Sequence, residues 1–277
     1  MLTSRKPTRR VLRRINVEEI LHDDDKTVIN KLNLIPGFKS FLNNTVGAVR
    51  EAYCNVEAAG DGWLITQQSS PELYGRLKEA CRVLNVRDIP RFSSEWFYMP
   101  SSVSSGRENF RIILTSGAID LLDETEQLFF LGHELGHNLC GHKPYQMLLE
   151  SLYLPMAEIQ NVKVWATIIK VPLLDWYRKC DLTADRMGLL CCQDLDAALR
   201  TMIKRAGLPK KYYKSINIPA FLRQAEEFET KYTGKVNTIA KTLALNSSAF
   251  PWMVHRAAEL VKWYKSGEYQ RILKQNN

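Results

Sequence analysis

The chain has 277 residues, 45% of them hydrophobic, which is enough to bury a sizeable core, and its composition is that of an ordinary globular protein. Of its net charge of +8, six positive charges precede Glu18, so the rest carries only +2 and does not indicate a nucleic-acid-binding protein. The six cysteines are too few for a dense disulfide framework, and they favour reduced thiols and a cytoplasmic location.

The N-terminal region, residues 1–48, is predicted to be a basic arm followed by a helical lead-in, distinct from a main domain at residues 49–277. The arm lacks the apolar stretch of a secretory signal, and we interpret it as a solvated charged segment. The alternative is that it docks on an anionic membrane or a nucleic acid. The most apolar long stretch, residues 162–176, contains two lysines, a proline and an aspartate, so no transmembrane helix is expected.

Strand-like and helix-like segments alternate at the start of the main domain. A strand is predicted around residues 62–66, and a helix follows from Ser70 to about Leu84, with a proline at its first position. Residues 110–115 form a β-rich run that ends at Ser116-Gly117.

The next helix is predicted to run from Glu124 to about Cys140, because leucines recur at helical spacing. Asp123 and Glu126 can form a capping box at its start, and Gly141 can end it. Further helices are predicted at residues 145–155, 174–192, 195–206, 218–231 and 251–264. The fold class is therefore α+β, predominantly helical with a small antiparallel sheet.

Three of the five histidines lie within residues 133–142, which contain the pattern HExxH at His133, Glu134 and His137. Two imidazoles four residues apart project from one face of a helix, where they can bind Zn²⁺ at about 2.0–2.1 Å. Glu134, one position round the helix, can take a proton from a metal-activated water, so no protein nucleophile is needed. Glycines at positions 132 and 136 each cost the helix about 1 kcal/mol relative to alanine, which indicates that another backbone or a substrate comes close.

A third metal ligand decides the subclass of the site. The metzincin spacing requires a histidine where Lys143 stands, and His142 turns about 140° away from the metal on a continued helix, as a cap or a residue behind the ligands would. Asp181 and Asp185 lie four residues apart in an apolar helix, where buried acids need a cation. Asp181 is therefore predicted to bind the metal, with Asp185 accepting a hydrogen bond from a ligand imidazole. The alternative is that the two aspartates are exposed to solvent and form ion pairs with neighbouring arginines.

These motifs resemble the gluzincin zinc metallopeptidase family of the CAAX prenyl protease and the heat-shock protease HtpX, in particular its soluble bacterial members. The resemblance is carried by residues 113–117, 131–137 with Gly141-His142, 176–188, and Phe250-Pro251 followed by Arg256. It implies a zincin-type fold with an active-site helix, in which HExxH and the later helix bind one zinc ion. It also implies a strand that pairs with extended substrate, and Phe110, Ile112 and Leu114 match that strand.

Two positions depart from the family pattern. The third ligand is usually glutamate, and Asp181 is one methylene shorter, so its helix must come closer to the metal. The usual His-Pro pair, whose histidine lies near the substrate oxyanion, is Phe250-Pro251 here, which leaves His255 as a candidate for that role.

The function that the sequence favours is a zinc-dependent metalloendopeptidase with Glu134 as general base and a peptide or protein as substrate. One alternative is a metal-stabilised binding protein, or an inactive or autoinhibited pseudopeptidase. Another is a thiol enzyme that uses Cys140 with His137.

Overall fold

The computed structural model describes residues 8–38, 62–105, 110–151, 160–231 and 252–276, together with isolated positions at 52, 56, 59, 60 and 234. For residues 105, 150, 151 and 160–169 it describes the backbone alone. The first seven residues of the predicted arm, the end of the lead-in and the Phe250-Pro251 motif lie outside the described residues.

The described residues form a predominantly helical α+β fold with one small sheet. The strands are β1 (Trp63–Leu64), β2 (Arg91–Glu95), β3 (Ser102–Ser105) and β4 (Arg111–Thr115). The helices are α1 (Val17–Ile20), α2 (Asp23–Asn33), α3 (Pro71–Val83), α4 (Ser116–Leu121), α5 (Glu124–Leu139), α6 (Lys143–Ser151), α7 (Gln160–Cys192), α8 (Leu195–Arg205), α9 (Ile218–Lys231), α10 (Met253–Lys265) and α11 (Glu268–Gln275). A 3₁₀-helix covers Lys210–Ser215. None of the described helices has the length and apolarity needed to cross a membrane.

The sheet is mixed, and in this respect the prediction of an antiparallel sheet is wrong. The strand order is β1-β2-β4-β3, with β2 and β4 parallel and the other two pairs antiparallel. After β2 the chain returns along β3, which leaves a gap of one strand. β4 then fills that gap, so it runs in the same direction as β2.

Strand β4 lies inside the sheet, so the prediction that its residues pair with substrate is corrected. Its backbone pairs with β2 on one side and with β3 on the other. Ile112 and Leu114 are 0% and 1% exposed, and Phe110 stands directly before the strand and packs against the core. The short apolar run at residues 112–114 is typical of a strand covered on both faces, and the pairing with a strand on each side makes β4 a central strand rather than an edge.

Helices α5 and α7 cross at very short range, as the two glycines in the HExxH helix predicted. A Cβ atom built at Gly132 would lie 2.2 Å from Cβ of Cys191, and one at Gly136 would lie 2.6 Å from Cβ of Met187. On the opposing helix, a Cβ at Gly188 would lie 2.8 Å from the carbonyl oxygen of Phe129. This close crossing supplies the short approach that an aspartate in place of glutamate requires.

Replacement of Gly132 with alanine is expected to lower the free energy of unfolding by about 3 kcal/mol, because the new methyl group meets a Cβ atom that cannot turn away. The matched control is Gly75→Ala in α3, where a Cβ atom would have nothing within 4 Å. That change is expected to stabilise the protein by up to about 1 kcal/mol through helix propensity. Urea unfolding of both variants measures the difference, and equal effects would contradict the close crossing.

The described part of the basic arm, residues 8–16, is anchored to the core through Leu12 and Arg9, whereas Arg10, Arg13 and Arg14 are exposed, as the interpretation of a solvated charged segment expects. Leu12 is 0% exposed, and its amide donates to the carbonyl of Val83 at 2.7 Å. The Arg9 side chain donates to the carbonyl of Cys192 at 2.9 Å. Helix α2 then buries apolar side chains against Trp176 of α7, in a cluster separate from the main core.

Candidate metal centre

The start of α5 is set by local chemistry. Asp123 accepts hydrogen bonds from the amides of Thr125 and Glu126, and Glu126 accepts from the amide of Asp123 at 2.8 Å, which forms the predicted capping box. Glu126 is fully buried and also binds Lys204 of α8 at 2.6 Å. Gly141 follows the helix with a φ of +70°, a left-handed conformation that favours glycine. The helix therefore begins and ends where its sequence predicts, with HExxH facing α7.

Three predicted ligand atoms converge between α5 and α7. Nε2 of His133 lies 3.1 Å from Nε2 of His137, and Oδ1 of Asp181 lies 4.0 Å and 3.5 Å from these two nitrogens. All three side chains are buried. Atoms that each lie about 2.0–2.1 Å from one tetrahedral ion are separated by distances of this size. The donor set fits a divalent metal that accepts nitrogen and oxygen ligands.

A buried arginine holds the two carboxylates of α7. Arg256 of α10 donates to both oxygens of Asp185, at 2.7 Å and 2.5 Å, and to Oδ2 of Asp181 at 3.1 Å. Burial alone would raise the pKa of Asp181, but the arginine and the two imidazoles lower it below its usual range. Asp185 also lies 3.0 Å from Nδ1 of His133, in the position predicted for a hydrogen-bond acceptor behind that imidazole. Asp181 thus stays anionic, with Oδ1 directed at the histidines.

A second buried network stands behind the other imidazole. Nδ1 of His137 lies 2.9 Å from Nδ1 of His142 and 3.2 Å from the amide nitrogen of Gln146. Nε2 of His142 lies 3.0 Å from Oδ2 of Asp25, which comes from α2. Asp25 also accepts hydrogen bonds from the indole of Trp176 at 2.8 Å and the hydroxyl of Thr183 at 2.6 Å. Helix α2 of the lead-in therefore supplies a buried carboxylate that His142 separates from the predicted ligand His137. The sequence alone assigns no role to the lead-in.

One signal in the sequence could have identified Asp25. It is the last of three consecutive aspartates at the start of α2, and it shares a helical face with Val28 and Leu32. These three side chains are buried, whereas Asp23 and Asp24 are exposed. A carboxylate on the apolar face of a helix needs a buried partner.

Glu134 is held by the neighbouring edge of the sheet. Ser102 donates to its Oε1 at 2.8 Å, Ser104 donates to its Oε2, and the Lys143 ammonium lies 3.8 Å from Oε2. Burial would raise the pKa of Glu134, but Lys143 and the two imidazoles outweigh it and hold the pKa below its ordinary value. Glu134 is therefore a carboxylate that can accept a proton. The sequence alone does not predict that the two serines belong to the site.

These groups line a cavity of about 100 Å³. Its wall includes four consecutive residues, 101–104, the ring of Phe130, and Tyr177 and Arg205. Burial lowers the pKa of His137 to about 3, so this imidazole is neutral, which is the form that binds a metal. The arrangement suits hydrolysis assisted by a metal.

A comparison with known protein families decides the class of protein. Residues 104–263, more than half of the chain, match the model of Peptidase family M48. The chain belongs to peptidase family M48. A curated relative, "Plastoglobule-localized metallopeptidase 48, chloroplastic" from Arabidopsis thaliana, is 28% identical over 267 residues, which cover 95% of this chain and 77% of the relative. No solved structure matches. The M48 assignment confirms the predicted metallopeptidase family, and the protein is a metallopeptidase.

In this M48 peptidase, His255 does not reach the cavity, so its assignment as an oxyanion candidate is corrected. Its Nδ1 lies 3.2 Å from Oε1 of Glu229 on α9, and its side chain is 38% exposed. The next residue on α10, Arg256, occupies the inward direction. Neighbouring residues on a helix point about 100° apart, so only one of the two can face the metal ligands.

The thiol alternative does not fit the M48 peptidase. Burial raises the pKa of Cys140 far above its usual range, so its nucleophilic thiolate form is disfavoured.

A second group of potential ligands consists of His137, His142 and Cys180. Burial also raises the pKa of Cys180, and nearby Asp181 and Asp25 raise it further. The group that contains Asp181 is therefore the better metal site.

Proposed function

We propose that this M48 peptidase is a zinc-dependent metalloendopeptidase. His133, His137 and Asp181 are its metal ligands, and Glu134 is its general base. The observation that carries the proposal is the convergence of three buried ligand atoms beside an ionised glutamate. Imidazole and carboxylate ligands favour zinc among the divalent metals. When bound, the metal would polarise the scissile carbonyl and make water easier to deprotonate.

The residues of the chain supply the proton transfers. Glu134 accepts a proton from the attacking water and returns it to the leaving amine. Ser102 and Ser104 donate to the two oxygens of this carboxylate and so fix its orientation. Arg256 keeps Asp181 anionic without occupying Oδ1, the oxygen closest to the histidines.

We assign recognition of the substrate backbone to β3 instead of β4. In the part of the chain that the structure describes, β3 pairs only with β4, which leaves its other edge available to an extended peptide. Two serines of this strand touch Glu134. A peptide added at this edge would therefore lie next to the general base.

The network behind His137 sets which of its nitrogens carries a proton. If Nδ1 of His137 donates to Nδ1 of His142, the proton of a neutral His142 is left on Nε2, which lies 3.0 Å from Oδ2 of Asp25. Nε2 of His137 then keeps its lone pair for the metal. Asp25 thus acts as a positioning residue through His142.

The Asp25→Asn variant is expected to bind zinc about 10–100-fold more weakly than the wild type. The asparagine amide can either accept a hydrogen bond from Nε2 of His142 or donate one to it, so it no longer selects one tautomer of His142. Competition with a chromophoric chelator measures this affinity without reference to activity. The control is Asp24→Asn at the exposed neighbouring position, which should bind zinc as the wild type does. Equal affinity in the two variants would show that Asp25 has no role at the metal site.

The division of the chain at residue 48 stays a prediction. Because Asp25 and Leu12 are buried against the peptidase core, we propose that the lead-in folds as part of the peptidase domain and contributes to its metal site. The cytoplasmic location is also a prediction. The printed name of the relative places that protein at chloroplast plastoglobules. Imaging of the tagged full chain tests the location of this one.

A further inference from the structure

One short loop presents four consecutive large apolar side chains to solvent. In this aromatic loop, residues 96–99, the exposed fractions are 87% for Trp96, 48% for Phe97, 70% for Tyr98 and 42% for Met99. Single exposed apolar residues are common, but a contiguous exposed apolar patch usually marks an interaction site.

The backbone of the aromatic loop is firmly held. The amide of Phe97 donates to the Ser116 hydroxyl at 3.1 Å, and the carbonyl of Phe97 accepts from the amide of Gly117 at 2.8 Å. The Thr115 hydroxyl donates to the carbonyl of Met99 at 2.8 Å. A Cβ atom at Gly117 would lie 1.9 Å from the carbonyl oxygen of Tyr98, so only glycine allows this contact. The fold therefore keeps these side chains in water by specific backbone contacts.

A basic surface adjoins the aromatic loop. Arg205 of α8 donates to the Ser101 hydroxyl at 3.0 Å, and burial, with a smaller effect of Tyr98, raises the pKa of Tyr213 in the 3₁₀-helix. Three lysines of the 3₁₀-helix are exposed, at positions 210, 211 and 214. Residues 206–225 contain four basic residues, which include these three lysines, and no acidic one, whereas Arg200 and Lys204 before them pair with Glu126. Residues 96–107 also contain no acid, and Glu95 precedes them at the end of β2.

We propose that the aromatic loop and the 3₁₀-helix dock the protein on an anionic lipid surface. Tryptophan and tyrosine favour the interface between lipid and water, and phenylalanine and methionine side chains can enter the acyl boundary. Each lysine next to a negatively charged leaflet adds attraction. A protein partner would explain the exposed aromatic rings but would not by itself require the three exposed lysines of the 3₁₀-helix beside them.

Docking in this way would bring the cavity close to the lipid. The aromatic loop leads within three residues into β3, whose serines hold Glu134, and Arg205 lines both the cavity and the approach to the loop. The residues of this surface differ from those of the N-terminal arm, whose contact with an anionic membrane stays a prediction. This surface does not depend on the chemistry at the metal, so the Glu134→Gln protein can serve in the test.

The test is co-flotation of the full chain with vesicles of phosphatidylcholine, with and without about one third phosphatidylglycerol. One variant combines Trp96→Ser with Tyr98→Ser, and another combines Lys210→Glu with Lys211→Glu. The controls are Leu34→Ser, which changes an apolar residue that is 81% exposed, and Lys262→Glu with Lys274→Glu, which makes the same charge change at two exposed sites on other helices. Thermal unfolding verifies that each variant is folded.

The expected result is binding to the anionic vesicles that weakens with added salt, at least about tenfold weaker in both test variants and unchanged in both controls. Three outcomes would overturn the proposal: no binding by the wild type, equal binding to neutral vesicles, or wild-type binding by the folded test variants. Loop variants that bind vesicles normally but cleave a protein substrate more slowly would identify a protein-docking site instead.

Discussion

Replacement of Glu134 with glutamine is expected to lower the rate of peptide cleavage by about 10³-fold or more. Glutamine is close in size but cannot accept the proton of the attacking water, and general base catalysis typically contributes 10²–10⁴-fold. One of the two serine hydroxyls that contact Glu134 can still donate to the amide oxygen, and the other can turn to accept from the amide nitrogen, so the fold and the metal site should persist. Cleavage of an unstructured protein such as casein gives the rate, and elemental analysis gives the metal content.

The matched control for this variant is Glu124→Gln in the first turn of the same helix, where the side chain is 43% exposed. It should cleave at the wild-type rate. Unchanged activity in Glu134→Gln would exclude the proposed mechanism. A wild-type protein that binds metal but cleaves none of a wide set of peptides would favour the metal-stabilised binding protein or pseudopeptidase.

The Asp181→Ala variant is expected to lose bound zinc, with an affinity at least about 100-fold below that of the wild type. Two imidazoles remain, but the third ligand of the tetrahedral set is gone. Arg256 would then lie beside the two histidines without one of the two carboxylates it binds, which further disfavours a cation at the site. Elemental analysis after gel filtration measures the loss.

Asp175→Ala provides the control for the loss of an acid from the same helix. Asp175 pairs with Lys179 at 2.9 Å, and its side chain is 49% exposed, so zinc content should not change. Zinc that remains at wild-type stoichiometry in Asp181→Ala would mean that another residue is the third ligand. Asp181 would then be only the counter-ion of Arg256.

Local signals account for most of what could be predicted at the site. The capping box, the leucine spacing and Gly141 predicted α5 to within one residue, because caps and side-chain periodicity act over a few neighbouring residues. The side-chain directions of HExxH and of Asp181 and Asp185 could also be predicted locally, since a helix places residues four apart on one face. The helix predicted at 174–192 has the observed end but begins earlier, at Gln160, because Pro172 lies inside the helix instead of starting it.

Long-range pairing accounts for what the sequence did not predict. Whether β4 is a central or an edge strand depends on where β3 lies, and β3 is a serine-rich segment without a strong strand pattern. His255 and Arg256 are equally polar neighbours, and the packing of α10 on α7 decides which of them meets the buried carboxylates.

The sequence by itself determined the helix that carries HExxH, the pair of acids on a later helix and the close crossing that two glycines permit. Each of these rests on chemistry within one or two helical turns. Only the tertiary structure decided that Asp25 reaches His142, that Ser102 and Ser104 hold Glu134, and that an aromatic loop stands beside a basic surface. Such contacts join residues far apart in the chain, and they arise only once the packing of helices and strands has brought them together.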